Sequence, residues 1–223
     1  MRYIEKKKPN DFDDEIKELK EEIKIVNNKS DVWDNKFKTK RKLKEYILEN
    51  EQNYLCCYCE AKITLDNSHI EHIKPKYLDY ENLTFDYNNL LVSCNGICFN
   101  NENKPITCGH KKGKKFDEKL FLNPVKIKNI REYFIYTDNG YIGASNLDKE
   151  KANYTMKILE LNTFNNYLPE ARVKALKQFR KSVKEFAKKR RKRLDEVVLL
   201  LLIRENLAFI SFLRFKYGYL IPN

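Results

Sequence analysis

The chain has 223 residues, 42% of them apolar, which is enough for one sizeable core or two small ones and too many for wholesale disorder. Lys and Arg outnumber Asp and Glu by 44 to 32, and a net charge of +12 suits a polyanionic partner, although lysine enriched along the whole chain also reads as compositional bias. The opening, MRYIEKKKPNDFDDE, turns charged at once, and the longest aliphatic run, VVLLLLI at 197–203, is too short to cross a bilayer. A soluble, cytoplasmic protein without membrane contact is therefore expected.

In chain order, DDEIKELKEEIKIV at 13–26 spaces Ile16, Leu19, Ile23 and Val26 for one helix face. A second helix is expected over about 38–50, with Leu43, Tyr46 and Ile47 on its apolar side. Residues 54–120 change character and hold every Cys and His among Gly, Asn and Pro turn signals. REYFIYTDNGYIGA reads as two short strands around an Asn139-Gly140 turn. From about Tyr154 onward the pattern is helical, with Val173, Leu176, Val183 and Phe186 as an apolar stripe and VVLLLLI as a buried segment. The basic run KKRRKR at 188–193, taken as helix, faces every direction and fits either a solvated surface or contact with a nucleic-acid backbone or an acidic subunit. The organisation expected is α+β and mostly helical: a helical region over 1–53, a central unit over 54–120, then a hairpin and helices over 121–223.

The six cysteines, Cys56, Cys57, Cys59, Cys94, Cys98 and Cys108, fall within one short stretch. Cys56 and Cys59 have the C-x2-C spacing of half a structural zinc site, and without a secretory leader such a cluster reads as metal-binding. Cys94 supplies a third thiolate, and either Cys98 or Cys108 the fourth, Cys108 being favoured. Cys57 is a spare. A zinc ion here would hold together a segment too small for its own core.

Within this stretch stands HIEHIKPKY at 69–77. Adjacent strand residues face opposite ways, so Glu71 and His72 can serve one site only where the strand ends, and Pro75 gives a reason for it to end. His69 is expected at the surface and is left out of the site. Further on come Asn89 in NNLLVSC and His110 in CGHKKG.

The order CCYCE, IEHIKPKY, NNLLVSC, CGHKKG resembles the HNH endonucleases, and among them the nuclease subunit of Septu and retron anti-phage systems. The likeness covers about residues 54–115 and includes the MRYI-K-P opening. It implies a zinc-braced ββα-metal core, with His72 as general base, Glu71 and His110 as ligands of a catalytic Mg²⁺ or Mn²⁺ ion, and Asn89 pinning the loop that orients His72. The interval from Cys94 to Cys108 is longer than the family's, so Asn100, Asn101 or Asn103 stands as an alternative to His110. The resemblance also implies a DNA or RNA substrate, a partner ATPase and a role in phage defence. The chemistry asks for the same groups: imidazole titrates near neutral pH and can deprotonate water, and a hard cation on a carboxylate neutralises charge on phosphate. Lys111, Lys112, Lys114 and Lys115 could steady the nucleic-acid backbone, or form a solvated run. The rival reading is a zinc-ribbon binding or assembly module without catalysis, which has no use for an acid where phosphate must sit.

Overall fold

A computed structural model of the chain describes residues 1–14, 16, 17, 19, 29–96, 107–162 and 167–220. The architecture is mixed helix and sheet, with two separate two-stranded antiparallel sheets among the described residues. Of the helix expected over 13–26, residues 13, 14, 16, 17 and 19 are helical and Ile16 is buried, while Ile23 and Val26 lie outside the described residues.

Two helices precede the central sheet, α1 (Lys29–Asn35) and α2 (Lys40–Ile47), the second running on into a π-helical turn at Leu48–Gln52. Leu43, Ile47 and Leu48 are its buried side. The wide turn brings Glu51 and Gln52 inward. Gln52 Nε2 donates to the carbonyls of Leu55 and Val92, both at 2.8 Å, and its Oε1 accepts from Val92 N at 2.8 Å. A side-chain amide thus supplies the hydrogen bonds that a neighbouring strand would have given to β2. Paired this way, a buried amide fixes where the helix meets the sheet, because leaving its groups unmatched would cost about 1–3 kcal/mol each.

Strands β1 (Ser68–His72) and β2 (Leu90–Cys94) pair antiparallel, with His69 opposite Ser93, Glu71 opposite Leu91 and His72 opposite Leu90. The two-residue period puts His69, Glu71 and Ser93 on one face and Ile70 and His72 on the other. A short helix, α3 (Cys108–Lys112), crosses the first face, where Gly109 N donates to Ser93 Oγ at 3.1 Å. The second face meets Trp33 of α1, whose ring stands edge-on to His72 with centroids 4.6 Å apart.

The remainder wraps this unit. Strands β3 (Phe134–Tyr136) and β4 (Ile142–Ala144) form the expected hairpin, and Gly140 in its turn has φ 85°. A Cβ at Gly140 would lie 2.2 Å from the carbonyl oxygen of Pro169, so the close approach of the following helix requires glycine there. Helices α4 (Lys149–Leu159), α5 (Tyr167–Arg190), α6 (Leu194–Leu202) and α7 (Ile210–Lys216) follow.

Three sequence expectations change here. The buried stripe of α5 is Leu176, Phe179, Val183 and Ala187, with Val173 and Phe186 only half-buried. Arg172 sits on that buried side because its guanidinium donates to the carbonyls of Gly140 and Leu161, each at 2.9 Å. VVLLLLI buries Val197, Val198 and Leu202, but Leu200 is 44% and Ile203 71% exposed. The basic run does not stay on one helix: α5 ends at Arg190, Arg191 takes a left-handed φ of 51°, and all six side chains are exposed across the corner. No described helix is long and apolar enough to cross a membrane.

The C-terminal helices are tied to the cysteine-bearing turn through one buried acid. Ser211 of α7 donates from N and Oγ to the two carboxylate oxygens of Glu60, at 2.8 and 2.5 Å, and Phe209 N donates to the Glu60 carbonyl at 2.8 Å. Burial opposes the charge of Glu60, but nearby cations and these donors outweigh it and hold its carboxyl below the usual range.

Candidate functional site: a four-thiol centre and a carboxylate–imidazole cluster

CCYCE folds as a tight turn closed by Cys56 N donating to the Ala61 carbonyl at 2.9 Å, with Glu60 at a left-handed φ of 64°. The turn aims Cys56 and Cys59 at the end of β2 and the start of α3. There the sulfurs of Cys56, Cys59, Cys94 and Cys108 all lie within 4.8 Å of one another, and all four residues are buried. Cys59 Sγ is 3.9 Å from Cys94 Sγ, close to the ~3.8 Å edge of a tetrahedron with metal–sulfur bonds of about 2.3 Å. Cys94 N donates to Cys56 Sγ at 3.3 Å, an interaction that stabilises a thiolate. The donor set fits a soft tetrahedral ion. Cys108 is the fourth member of the cluster; Cys98 lies outside the described residues. Cys57 is absent from the cluster, and burial, then the neighbouring Cys56, raises its thiol pKa well above the ordinary value.

The second cluster lies on the face of β1 covered by α3. Glu71 is buried, and its two oxygens have different company. Oε1 accepts from Tyr58 OH at 3.1 Å and pairs with Lys112 Nζ at 3.0 Å. Oε2 faces His69 Nε2 at 3.5 Å. Burial works against the charge of Glu71, but Lys112 and His69 together hold its carboxyl below the usual range. Lys112 also donates to the His72 carbonyl at 3.1 Å, so one ammonium bridges the carboxylate of Glu71 and the backbone of the next residue. It is buried and committed to Glu71, unlike the exposed phosphate contact that the lysine run suggested. Lys111 pairs with Glu160 at 3.5 Å, and Lys114 Nζ lies 4.6 Å from the centre of the Tyr77 ring.

His110, on α3, donates from Nδ1 to the Asn95 carbonyl at 3.0 Å, and its ring stacks on His69 with centroids 4.0 Å apart and planes 14° apart. Burial and the adjacent His69 lower its pKa, with the Asn95 carbonyl and Glu71 acting against them. Asn100, Asn101 and Asn103, the alternatives to His110, lie outside the described residues.

His72 occupies the last position of β1, on the opposite face from Glu71. Its Nε2 is 3.0 Å from the Thr84 carbonyl oxygen, which can only accept, so Nε2 carries the hydrogen and Nδ1 the lone pair. Nδ1 has no hydrogen-bond partner among the described residues. Burial pushes the pKa down to about 4 against the smaller opposing effects of Thr84 and Glu71, which leaves a neutral ring at pH 7. The Glu71 carboxylate still raises the proton affinity of His72 from the other side of the strand end.

Asn89 touches neither cluster. Its Nδ2 donates to the carbonyls of Lys74 and Leu83 at 2.9 and 3.1 Å, and its Oδ1 accepts from Lys74 N at 2.8 Å. Leu83 immediately precedes Thr84, so Asn89 fixes the segment whose carbonyl holds His72.

The structure therefore brings Glu71 and His110 to one face with His69, Tyr58 and Lys112, and leaves His72 at the strand end, facing the other way. His69 was missed although its signal was present: residues 69 and 71 share a face in any strand. Lys112 carried no such signal, since its burial comes from the packing of α3.

No family model matches the chain. A curated protein of Vibrio cholerae serotype O1 biovar El Tor, named "Retron Vc95 putative HNH endonuclease", is 32% identical over 123 residues, covering 54% of this chain and 56% of that protein. The chain thus spans about half the length of the curated relative it matches. The likeness to the HNH endonucleases seen in the order of the motifs is therefore found again in overall sequence, in a relative named for a retron.

Proposed function

We propose that the chain is a metal-dependent HNH endonuclease that hydrolyses phosphodiester bonds in DNA or RNA, with β1, β2 and α3 as its ββα-metal core. The observation that carries this reading is the state of His72: a neutral imidazole, fixed by Thr84 through Nε2–H, with the Nδ1 lone pair uncommitted beside an ionised Glu71. In this reading Nδ1 takes a proton from the water that attacks phosphorus. Asn89 acts at one remove, by holding the Thr84 segment in place. The chain's net charge of +12 favours a nucleic-acid partner over a neutral one.

Two metals belong to the proposal. Cys56, Cys59, Cys94 and Cys108 would hold a structural zinc ion, the usual occupant of four closed thiolates. Glu71 and His110 would hold a divalent ion, Mg²⁺ or Mn²⁺, through an oxygen that Tyr58 and Lys112 leave free. When bound, that ion supplies positive charge to the scissile phosphate. Service in phage defence alongside a partner ATPase is part of the proposal through the resemblance and the relative's retron name.

The test is cleavage of plasmid DNA and of tRNA with Mg²⁺ or Mn²⁺, comparing the wild type with His72→Ala. A loss of at least 100-fold in rate is expected for the variant, the lower end of what general-base catalysis contributes. Equal cutting by both proteins sinks the assignment of His72. A protein that nicks neither substrate, with or without an added ATPase partner, sinks the nuclease reading.

A further inference from the structure

His69 Nδ1 lies 3.1 Å from Asn95 Oδ1, and His110 Nδ1 lies 3.0 Å from the main-chain oxygen of the same residue. Both oxygens accept only, so both imidazoles carry hydrogen on Nδ1 and a lone pair on Nε2. One asparagine therefore sets the tautomer of two stacked rings. His69 Nε2 is buried and has no hydrogen-bond partner among the described residues, and it faces Glu71 Oε2 at 3.5 Å. In that tautomer two electron-pair donors confront each other with no hydrogen between them, an arrangement that costs free energy unless a cation joins it. Two donors sharing one ion at about 2.1 Å each stand roughly 3–4 Å apart. The backbone keeps the space open: a Cβ at Gly109 would lie 2.5 Å from Glu71 Oε2 and 2.7 Å from His69 Nε2.

Building on the nuclease reading, we propose that His69 is a third ligand of the divalent cation, beside Glu71 and His110, and that Asn95 is the residue that positions both imidazoles. The set is then two imidazoles and one carboxylate. Imidazole suits transition-metal ions better than it suits Mg²⁺, so the site prefers Mn²⁺ to Mg²⁺. Asn95 acts as a hydrogen-bond acceptor behind the ligands, a role whose loss typically weakens metal binding by about 10–100-fold.

The test uses the zinc-loaded full chain without nucleic acid and Mn²⁺ as the probe. Titration followed by electron paramagnetic resonance gives the affinity, and electron spin-echo modulation counts coordinated imidazole nitrogens. The wild type should show two imidazoles and hold Mn²⁺ against a tenfold excess of Mg²⁺. His69→Gln should show one imidazole and weaker binding by at least tenfold. Asn95→Ala should also weaken binding, and Asn95→Asp, which retains an acceptor, should restore it; a purely structural role for Asn95 would not produce that rescue. Zinc content and circular dichroism report folding, and if His69→Gln fails to fold the Asn95 pair decides. Two imidazoles retained in His69→Gln, or a single imidazole in the wild type, overturns the proposal while plasmid cleavage leaves the nuclease reading standing. A wild type that binds no Mn²⁺ overturns this proposal, and one that also cuts nothing overturns the nuclease reading too.

Discussion

Two polar centres flank the same pair of strands, and they differ in how fully their donors are used. The four sulfurs at the end of β2 surround one point, all buried, leaving no direction open to another ligand. The cluster on Glu71 is asymmetric: one carboxylate oxygen is bound by Tyr58 and Lys112, while the other faces an imidazole nitrogen that has no partner. A closed set holds a fold together and an open set can exchange ligands, the general distinction between structural and catalytic metal sites. Both are served by α3, since Cys108 begins the helix and His110 and Lys112 lie one and two steps further along its path. Stability and chemistry are therefore coupled through five residues.

That contrast can be broken most severely at the closed centre. Cys59→Ser removes one thiolate from a buried set, and structural zinc contributes on the order of 10 kcal/mol to small metal-dependent folds. The variant is expected to lose its zinc, measured by elemental analysis, and to lose the cooperative thermal transition seen by circular dichroism. Retention of both would mean that the cysteines only pack.

The next effect concerns His72. Its pKa in the folded chain, about 4, lies below the ordinary 6.5. Between those values the unfolded chain binds a proton that the folded chain does not, so stability is full above pH 6.5 and falls as pH drops toward 4. The full span is worth ~3 kcal/mol. Urea unfolding at pH 7 and pH 5 should show a larger loss in the wild type than in His72→Gln. The comparison between the two proteins cancels protonation of the thiolates, and an equal loss in both contradicts a buried neutral ring.

Much of this was legible in the sequence, and the limits have physical causes. Spacing announced the thiol pairs because C-x2-C turns are local, and the motif order placed Asn89 and His110. The partition of Glu71 and His72 between two faces follows from strand periodicity alone. Asn95 was not legible, since its side chain and carbonyl meet two rings only after β2 ends and α3 folds back across it. Lys112 stands in a run of lysines that looked solvated, and its burial is a tertiary outcome. Arg172 escaped the stripe on α5 for a similar reason: a charged residue on an apolar face is explained only by carbonyls from distant segments.

A smaller effect separates positioning from chemistry. Asn89→Ala leaves Lys74 N and two carbonyls without their partner, a cost of about 2–4 kcal/mol in urea unfolding. Zinc content should stay unchanged, because Asn89 lies outside the thiol centre. Loss of zinc in this variant would show that the two centres cannot be separated. The smallest effect belongs to Cys57→Ser, which alters a buried thiol outside the cluster: zinc stoichiometry should hold, and a fall in it would redraw the ligand set.

The most direct measurement of the account is the tautomer of each ring, by long-range ¹H–¹⁵N correlation at pH 7. The chain has only 3 histidines, so the signals can be assigned by single substitutions. The metal-free protein with its zinc retained should give His72 as the neutral Nε2–H form and His69 and His110 as neutral Nδ1–H forms. A His72 that carries its hydrogen on Nδ1, or is charged at that pH, would contradict the account at its centre.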